Sequence, residues 1–200
     1  MNNFVVGITG ASGSIYGLRL IEELLRAQKQ VSVLLSNAGR QVLSFETGLQ
    51  LAEKPVDCQR QFRNRFDAGD ELRYYAINDF FAPIASGSSA PDALVICPCS
   101  MGTVGRIAAG LSDSLLERVA DVILKERKQL LLVPRETPFN QLHLQNLLRL
   151  SQAGAQILPA MPAFYQKPQS VEDLVDFVVG KVLDSLGIEH KLFKRWGADA

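Results

Sequence analysis

The chain has 200 residues, of which 47% are hydrophobic, and its 21 basic and 21 acidic side chains give a formal net charge of zero. This length supports one domain with a sizeable core, and a neutral chain offers no general attraction to nucleic acid or anionic membranes. We expect neither a signal peptide nor a membrane span, because no long apolar run and no basic leader is present. Three cysteines, an odd number, favour reduced thiols and a cytoplasmic location.

Apolar and polar segments then alternate along the chain as in an α/β protein. The first part is predicted to contain, in order, a strand at Phe4–Ile8, a helix at Ser14–Ala27, a strand at Val31–Leu35 and a helix at Ala38–Glu46. Residues 50–75 are charged and lack clean periodicity, so no element is predicted there. The second part is predicted to contain a strand at Ala93–Cys97, a long helix at Thr103–Glu126, a strand at Leu130–Val133, a helix at Pro138–Ala153, a short strand at Gln156–Leu158 and a helix at Val171–Leu186.

This order predicts a doubly wound, mostly parallel sheet of the Rossmann or flavodoxin-like three-layer kind. The whole chain, residues 1–200, is predicted to be a single domain, with a tail from about residue 187. Ligands of such sheets bind beyond the carboxyl ends of the strands. The loops that follow strands are therefore the candidate site.

The first of these loops lies within Gly7–Gly17, which reads GITGASGSIYG. It matches neither the dinucleotide fingerprint nor the P-loop, whose lysine is missing. Its glycines would let the backbone approach a ligand, and the start of the following helix favours an anion. An ordinary tight turn between strand and helix is the alternative.

The second and third loops add hydroxyl groups. Ser36 follows the second strand, and helix capping is its favoured interpretation. In the third loop, Ser100 and Thr103 could present hydroxyl and N–H groups to a phosphate or a ring. Cys97 and Cys99 precede them, and we interpret both as buried thiols because too few other zinc ligands are near.

The fourth loop holds two opposite charges. Thr137 followed by Pro138 is typical of a helix start, with threonine as the N-cap. That interpretation leaves Arg135 and Glu136 unexplained, as either a surface ion pair or part of the site. Upstream, Ser86–Ser89 forms a hydroxyl-rich turn that is only a flexible loop when taken alone.

A divalent metal has one candidate motif, the acidic run Glu172–Asp176. Ser170 lies three residues before Asp173, which favours a capping box instead, so no metal site is predicted. His143 and His190 are interpreted as structural or solvated, and no histidine-based triad is expected.

Four stretches together resemble the flavin prenyltransferase (UbiX) family, within the wider group of flavin-containing cysteine decarboxylase-like proteins. They are TGASGSIYGLRL, NDFFAPIASGSSAPDALVICPCSMGT, LLERVADVILKERKQLLLVPRETPF and PAFYQKPQSVEDLVDFVVGKVLDSLG. The resemblance implies an enzyme that joins a dimethylallyl group from dimethylallyl monophosphate to N5 and C6 of reduced FMN without a metal. It also implies a homo-oligomer, commonly a dodecamer with pockets shared between subunits, whose prenylated FMN serves a UbiD-type decarboxylase of ubiquinone or aromatic-acid metabolism.

The same resemblance assigns residues to two ligands. Those expected to contact FMN are Ala11, Ser12, Gly13, Ser36, Ser100, Met101, Gly102, Thr103 and Arg135. Those expected around the prenyl phosphate are Ser86, Gly87, Arg118, Lys125, Arg135, Glu136, Tyr165 and Lys181. Lys181 stands where the family commonly has arginine, and lysine is a point charge rather than a bidentate partner for phosphate.

Catalytic roles are expected for Ser12, Glu46, Lys125 and Glu136. Glu136, or the released phosphate itself, would remove the ring proton, and Glu46 would move protons near N5. Judged without the resemblance, Lys125 is equally a favourable charge at a helix end, and Glu46 is a solvated helix residue. The rival functions are an FMN-dependent cysteine decarboxylase of the same fold and a non-catalytic flavin carrier.

Overall fold

Six strands form one parallel sheet in the order β3-β2-β1-β4-β5-β6. The computed structural model describes residues 1–195. The strands are β1 (Asn3–Ile8), β2 (Gln30–Leu35), β3 (Leu72–Tyr75), β4 (Ala93–Cys99), β5 (Gln129–Pro134) and β6 (Gln156–Ile157). This is the Rossmann strand order, in which β1 and β4 meet where the winding direction reverses. The predicted doubly wound α/β fold is confirmed.

Within residues 1–195, seven α-helices cover the two faces of the sheet. They are α1 (Ser14–Arg26), α2 (Asn37–Thr47), α3 (Pro55–Phe66), α4 (Met101–Ala108), α5 (Leu115–Lys125), α6 (Gln141–Gln152) and α7 (Val171–Leu186). One apolar core lies between the sheet and α1, α2, α3 and α7, and a second lies between the sheet and α4, α5 and α6. Strand β4 is buried along its whole length, as expected for a parallel strand covered on both faces.

Residues 50–75, for which no element was predicted, contain α3 and β3. Cys58 and Phe62 are fully buried on one side of α3, while the rest of the helix is rich in arginine and glutamine. Two buried positions in a polar helix give a weak periodic signal. The helix is held instead by tertiary packing, because Phe62 stacks against Tyr74 of β3 with ring centroids 5.9 Å apart.

The long helix predicted at Thr103–Glu126 is wrong, because the chain forms α4 and α5 with a turn between them. Gly110 has a positive φ of 73°, which ends the first helix. Ser114 then caps α5 in a reciprocal capping box with Glu117. That Ser-x-x-Glu pattern is visible in the sequence and was the missed signal.

The predicted start of α6 at Thr137 and Pro138 is also wrong. The Thr137 hydroxyl donates to the carbonyl of Glu136 at 2.8 Å, so it does not cap a helix. Asn140 does so instead, accepting from the N–H of His143, and the His143 side chain accepts from the N–H of Asn140. The structural interpretation of His143 is therefore confirmed, at the helix start.

The end of the chain follows the prediction at α7, which Ser170 and Asp173 begin with a capping box. Gly187 ends the helix with a φ of 68°, and residues 187–195 fold back along it. Residues 196–200 of the predicted tail lie outside the described residues. Between residues 1 and 195, no helix has the length and apolar character that crossing a bilayer requires.

Gly17 gives a test of how closely α1 packs on the sheet. An added Cβ would collide with the carbonyl oxygen of Cys97 and approach the Ile8 side chain to 2.7 Å. We expect Gly17→Ala to lower the free energy of unfolding by about 1–3 kcal/mol, measured by urea titration. Gly105→Ala is the matched control, since its Cβ would make only an ordinary contact, 3.5 Å from Asn146. The control is expected to be neutral or stabilising by up to about 1 kcal/mol, and equal effects of the two changes would contradict this packing.

Candidate active site

The carboxyl ends of β1 and β4 are joined by Thr9, a fully buried residue that the sequence analysis did not assign. Its hydroxyl donates to the carbonyl of Pro98 at 2.9 Å and accepts from the N–H of Ser100 at 2.7 Å. The first and third loops are thereby fixed to one another. The available signal in the sequence was a threonine directly after a predicted strand, at the start of the glycine loop.

The glycine loop leads into α1 without a side-chain cap of its own. Gly13 adopts a φ of 99°, which favours glycine, and the Glu46 carboxylate from α2 receives the N–H groups of Gly13 and Ser14 at 2.8–3.0 Å. Burial alone would raise the pKa of Glu46, but hydrogen bonds from Ser12, Ser14 and Gly13 lower it overall. Glu46 is therefore not the merely solvated residue that the sequence alone suggested.

Arg135 closes over the same loop from β5. Its Nε donates to the carbonyl of Ser12 at 3.2 Å, and its own N–H bonds to the carbonyl of Cys99. Beside it, the Tyr16 ring lies against Gly13, where an added Cβ would come within 2.7 Å. Burial raises the pKa of Tyr16, and the positive charge of Arg135 opposes that shift. Tyr16 is a second residue of this edge that the sequence analysis did not assign.

Helix α4 presents its N-terminus at the same edge. The Ser100 hydroxyl accepts from the N–H of Thr103 and lies 3.0 Å from its hydroxyl. The N–H groups of Met101 and Gly102 belong to the first turn, where a helix offers donors without intrahelical partners. An added Cβ on Gly102 would meet nothing closer than 4.0 Å, so its backbone is open to a ligand.

Ser36, Cys97 and Cys99 in these loops have the structural roles that the sequence predicts. Ser36 caps α2 by accepting from the N–H of Gly39 at 2.9 Å, as expected. Cys97 and Cys99 are free and fully buried, and burial raises the pKa of both thiols well above the ordinary range. Uncharged buried thiols fit the packing interpretation rather than a metal site.

Part of the predicted prenyl-phosphate set lies far from this edge. Lys125 ends α5, four residues before β5 begins, and therefore lies at the amino edge of the sheet. Gly87 is its neighbour: a Cβ there would lie 3.1 Å from the Lys125 amine. Arg118 braces the same turn by donating to the carbonyl of Ala85 at 3.1 Å, and Ser86 follows directly. We call Ser86, Gly87, Arg118 and Lys125 the α5 group.

Tyr165 and Lys181 belong to a third place, along α7. The Tyr165 ring meets Phe177 edge to face at 5.8 Å, and Lys181 lies one turn further on the same side of the helix. The Lys181 amine is 3.7 Å from Asp184. We call Tyr165, Phe177, Lys181 and Asp184 the α7 group.

Carboxylates near the site have different partners. Glu136 lies beside Arg135 and accepts from the N–H of Thr137 at 3.0 Å. Asp173 caps α7, and Asp176 forms a bidentate ion pair with Arg19 on α1. Within residues 1–195 no group of three His, Cys, Asp or Glu side chains is arranged to hold a metal ion.

Comparison with known proteins gives a consistent result over nearly the whole chain. A family model described as Flavoprotein matches residues 1–183. A flavin prenyltransferase UbiX from Halalkalibacterium halodurans is 51% identical over 197 residues, which is 98% of this chain and 94% of the relative.

Two solved structures share both the fold and more than a third of the aligned residues with this chain. The crystal structure of AnUbiX (PadA1) in complex with FMN and dimethylallyl pyrophosphate superposes with a TM-score of 0.88 and 37% identity, covering 98% of each chain. A dodecameric FMN-dependent UbiX-like decarboxylase from Escherichia coli O157:H7 gives a TM-score of 0.86 and 37% identity, covering 98% of this chain and 99% of the other.

The contacts of Glu46 predict a pH dependence of stability. Its folded-state pKa is lowered, so its contribution is present above the unfolded value near pH 4.3 and is lost as the pH falls through the folded value. We expect wild type to exceed Glu46→Gln by about 0.5–1 kcal/mol in unfolding free energy at pH 7, with the gap closing in acid. Unfolding titrations across this range measure it, with exposed Glu53→Gln as control. A gap that is absent at pH 7, or that grows in acid, would contradict the assignment.

Proposed function

Because the chain belongs to the flavin prenyltransferase (UbiX) family, we propose that it transfers a dimethylallyl group from dimethylallyl monophosphate to N5 and C6 of reduced FMN. The observation that carries this proposal is the shape of the carboxyl edge. There, Thr9 fixes the loop before the open N-terminus of α4 to the glycine loop, and Arg135 contacts the glycine loop from the end of β5. An edge of this kind suits a flat ring that carries a phosphate.

The charges of this edge orient the FMN. The Glu46 carboxylate already takes the N–H groups at the start of α1, and its negative charge would repel a phosphate there. We therefore infer that the FMN phosphate lies at Ser100–Thr103 and near Ser36, where helix N-termini provide N–H donors. The flavin ring then lies beside the glycine loop, close to Glu46.

When bound, reduced FMN supplies the two nucleophilic ring atoms of the reaction. Protein cations stabilise the departing phosphate, and Lys125, Arg135 and Lys181 are the residues that we propose for this task. Each charge-assisted hydrogen bond to that group contributes on the order of 1.5–3 kcal/mol. We propose Glu136, next to Arg135, as the group that accepts the proton released from the ring, and Glu46 as the group that moves protons near N5.

A single chain does not bring all of these cations together. Arg135 lies at the carboxyl edge and Lys125 at the amino edge, separated along α5, whose 11 residues span roughly 16 Å. We infer that the α5 and α7 groups of neighbouring subunits complete the pocket at this carboxyl edge. The protein is accordingly proposed to be a homo-oligomer, and a dodecamer is the assembly that the similar Escherichia coli protein supports.

The two rival functions fit these residues less well. A cysteine decarboxylase of this fold would use a catalytic histidine near the flavin. Both histidines of this chain have structural contacts instead, His143 at the start of α6 and His190 with Asp184. A flavin carrier would need no second set of cations such as the α5 and α7 groups.

We further propose that prenylated FMN passes to a UbiD-type decarboxylase and that the protein works in the cytoplasm. The three reduced and buried thiols support a reducing compartment.

The proposal is tested by incubating the purified protein anaerobically with reduced FMN and dimethylallyl monophosphate in the absence of divalent ions. We expect mass spectrometry of the extracted flavin to reveal one added five-carbon unit, because protein cations take the place of a metal at the leaving group. Reactions lacking either the protein or the prenyl phosphate are the controls. Recovery of unmodified flavin from the complete reaction would reject the enzyme assignment.

A further inference from the structure

The residues after α7 form a strap, residues 187–195, that packs along the helix. Phe193 lies between Phe177, with ring centroids 5.2 Å apart, and His190, at 5.0 Å. Gly180 makes room for it, since a Cβ there would collide with Phe193 and lie 2.7 Å from the His190 ring. The Gln166 amide donates to the carbonyl of Lys194 at 2.8 Å and fixes the end of the strap. The position of the strap is therefore determined by specific packing.

Asp184 is the point at which the strap meets the α7 group. Its Oδ1 accepts from Arg195 Nη2 at 2.7 Å and from His190 Nε2 at 3.1 Å. The N–H of Leu192 donates to His190 Nδ1, so the ring proton is on Nε2 and a neutral histidine satisfies both contacts. The Lys181 amine lies 3.7 Å from the other oxygen, Oδ2. One carboxylate thus holds two cations beside each other.

The balance of charge in this patch is positive, because Lys181 and Arg195 face a single carboxylate, that of Asp184. The side chains of Lys181 and Arg195 remain 49% and 60% exposed, so an incoming ligand can reach them. The Arg195 guanidinium also lies over the Phe193 ring, 6.0 Å from its centroid, which limits its freedom. Tyr165 borders the patch through Phe177. Two cations of this kind suit a phosphate monoester.

We propose that Arg195 binds the phosphate of the prenyl substrate beside Lys181, with Asp184 as the positioning residue for both cations. A guanidinium offers a planar pair of donors to phosphate, which the ammonium group of Lys181 does not. The strap would then add a contact that the α7 helix does not provide. The inference rests on the proposed function and specifies a residue that its substrate meets.

The test compares Arg195→Ala, Arg195→Gln and Arg195→Lys with wild type, using the whole protein loaded with FMN. Calorimetry with dimethylallyl monophosphate measures binding, and anaerobic turnover gives KM and kcat separately. We expect Arg195→Ala and Arg195→Gln to weaken binding and raise KM about tenfold. Both should keep FMN affinity and melting temperature near the wild-type values. Arg195→Lys should restore only part of the loss, because it returns the charge but not the planar pair of donors.

Lys191→Ala is the matched control, because it removes one positive charge from the same exposed strap without touching Asp184. It is expected to bind the prenyl phosphate as wild type does. Unchanged binding in Arg195→Ala, or an equal loss in Lys191→Ala, would overturn the proposal and leave Arg195 as a clip for the strap. Wild-type protein that binds the prenyl phosphate through Arg195 but leaves FMN unmodified would instead reject the proposed function alone. Failure of wild type to bind the compound at all would reject both.

Discussion

Because every strand of the sheet points in the same direction, the chain has two chemically different edges. Loops that follow strands meet at the carboxyl edge, and helices that return to the next strand end at the amino edge. The glycine loop, the start of α4 and Arg135 therefore share one edge, while the end of α5 with Lys125 lies at the other. This directional constraint separates residues that the proposed reaction would need together, and it is the reason we propose that subunits associate to form the pocket.

At the carboxyl edge, the local contacts are short and come from several elements. Thr9 fixes the first loop to the third, and Glu46 completes the start of α1 from a different helix. A rigid edge of this kind is what a positioned ring requires, since misplacement of reacting atoms is costly to rate. Arg135 contacts the loop carbonyl of Ser12 and so fixes the end of β5 to the glycine loop.

Much of this architecture could be predicted from the sequence. Strands such as β4 are continuous apolar runs between turn residues, and this pattern predicts them. The Ser170 and Asp173 pair is a capping-box pattern, and it predicts the start of α7. The resemblance to a known family also suggested which residues to examine. In contrast, α3 was missed because only two of its residues are fully buried, and the break before α5 was missed although Ser114 and Glu117 form a recognisable capping box.

The arrangement of the candidate site was harder to predict, because it depends on contacts distant in sequence. Nothing in the sequence around Glu46 indicates that its carboxylate reaches the start of α1, 32 residues earlier in the chain. The sequence predicts that α6 starts at Thr137, but both Thr137 with Pro138 and Asn140 satisfy the N-cap preferences. Only the packing of the folded chain decides between these two starts. His190 was expected to be structural, and the structure adds that it contacts Asp184 next to Lys181.

Mixed oligomers test most directly whether one pocket combines the carboxyl edge of one subunit with the amino edge of another. The Lys125→Ala change lies at the amino edge and the Glu136→Gln change at the carboxyl edge. In an oligomer of a single variant every shared pocket contains that change, so each variant should be inactive by itself. After the two proteins are dissociated and reassembled together, pockets between unlike subunits would contain an intact lysine and an intact glutamate. We predict that prenylation of FMN reappears in the mixture and stays absent when either variant is reassembled with itself. A mixture that forms mixed oligomers yet remains inactive would contradict a pocket shared between chains.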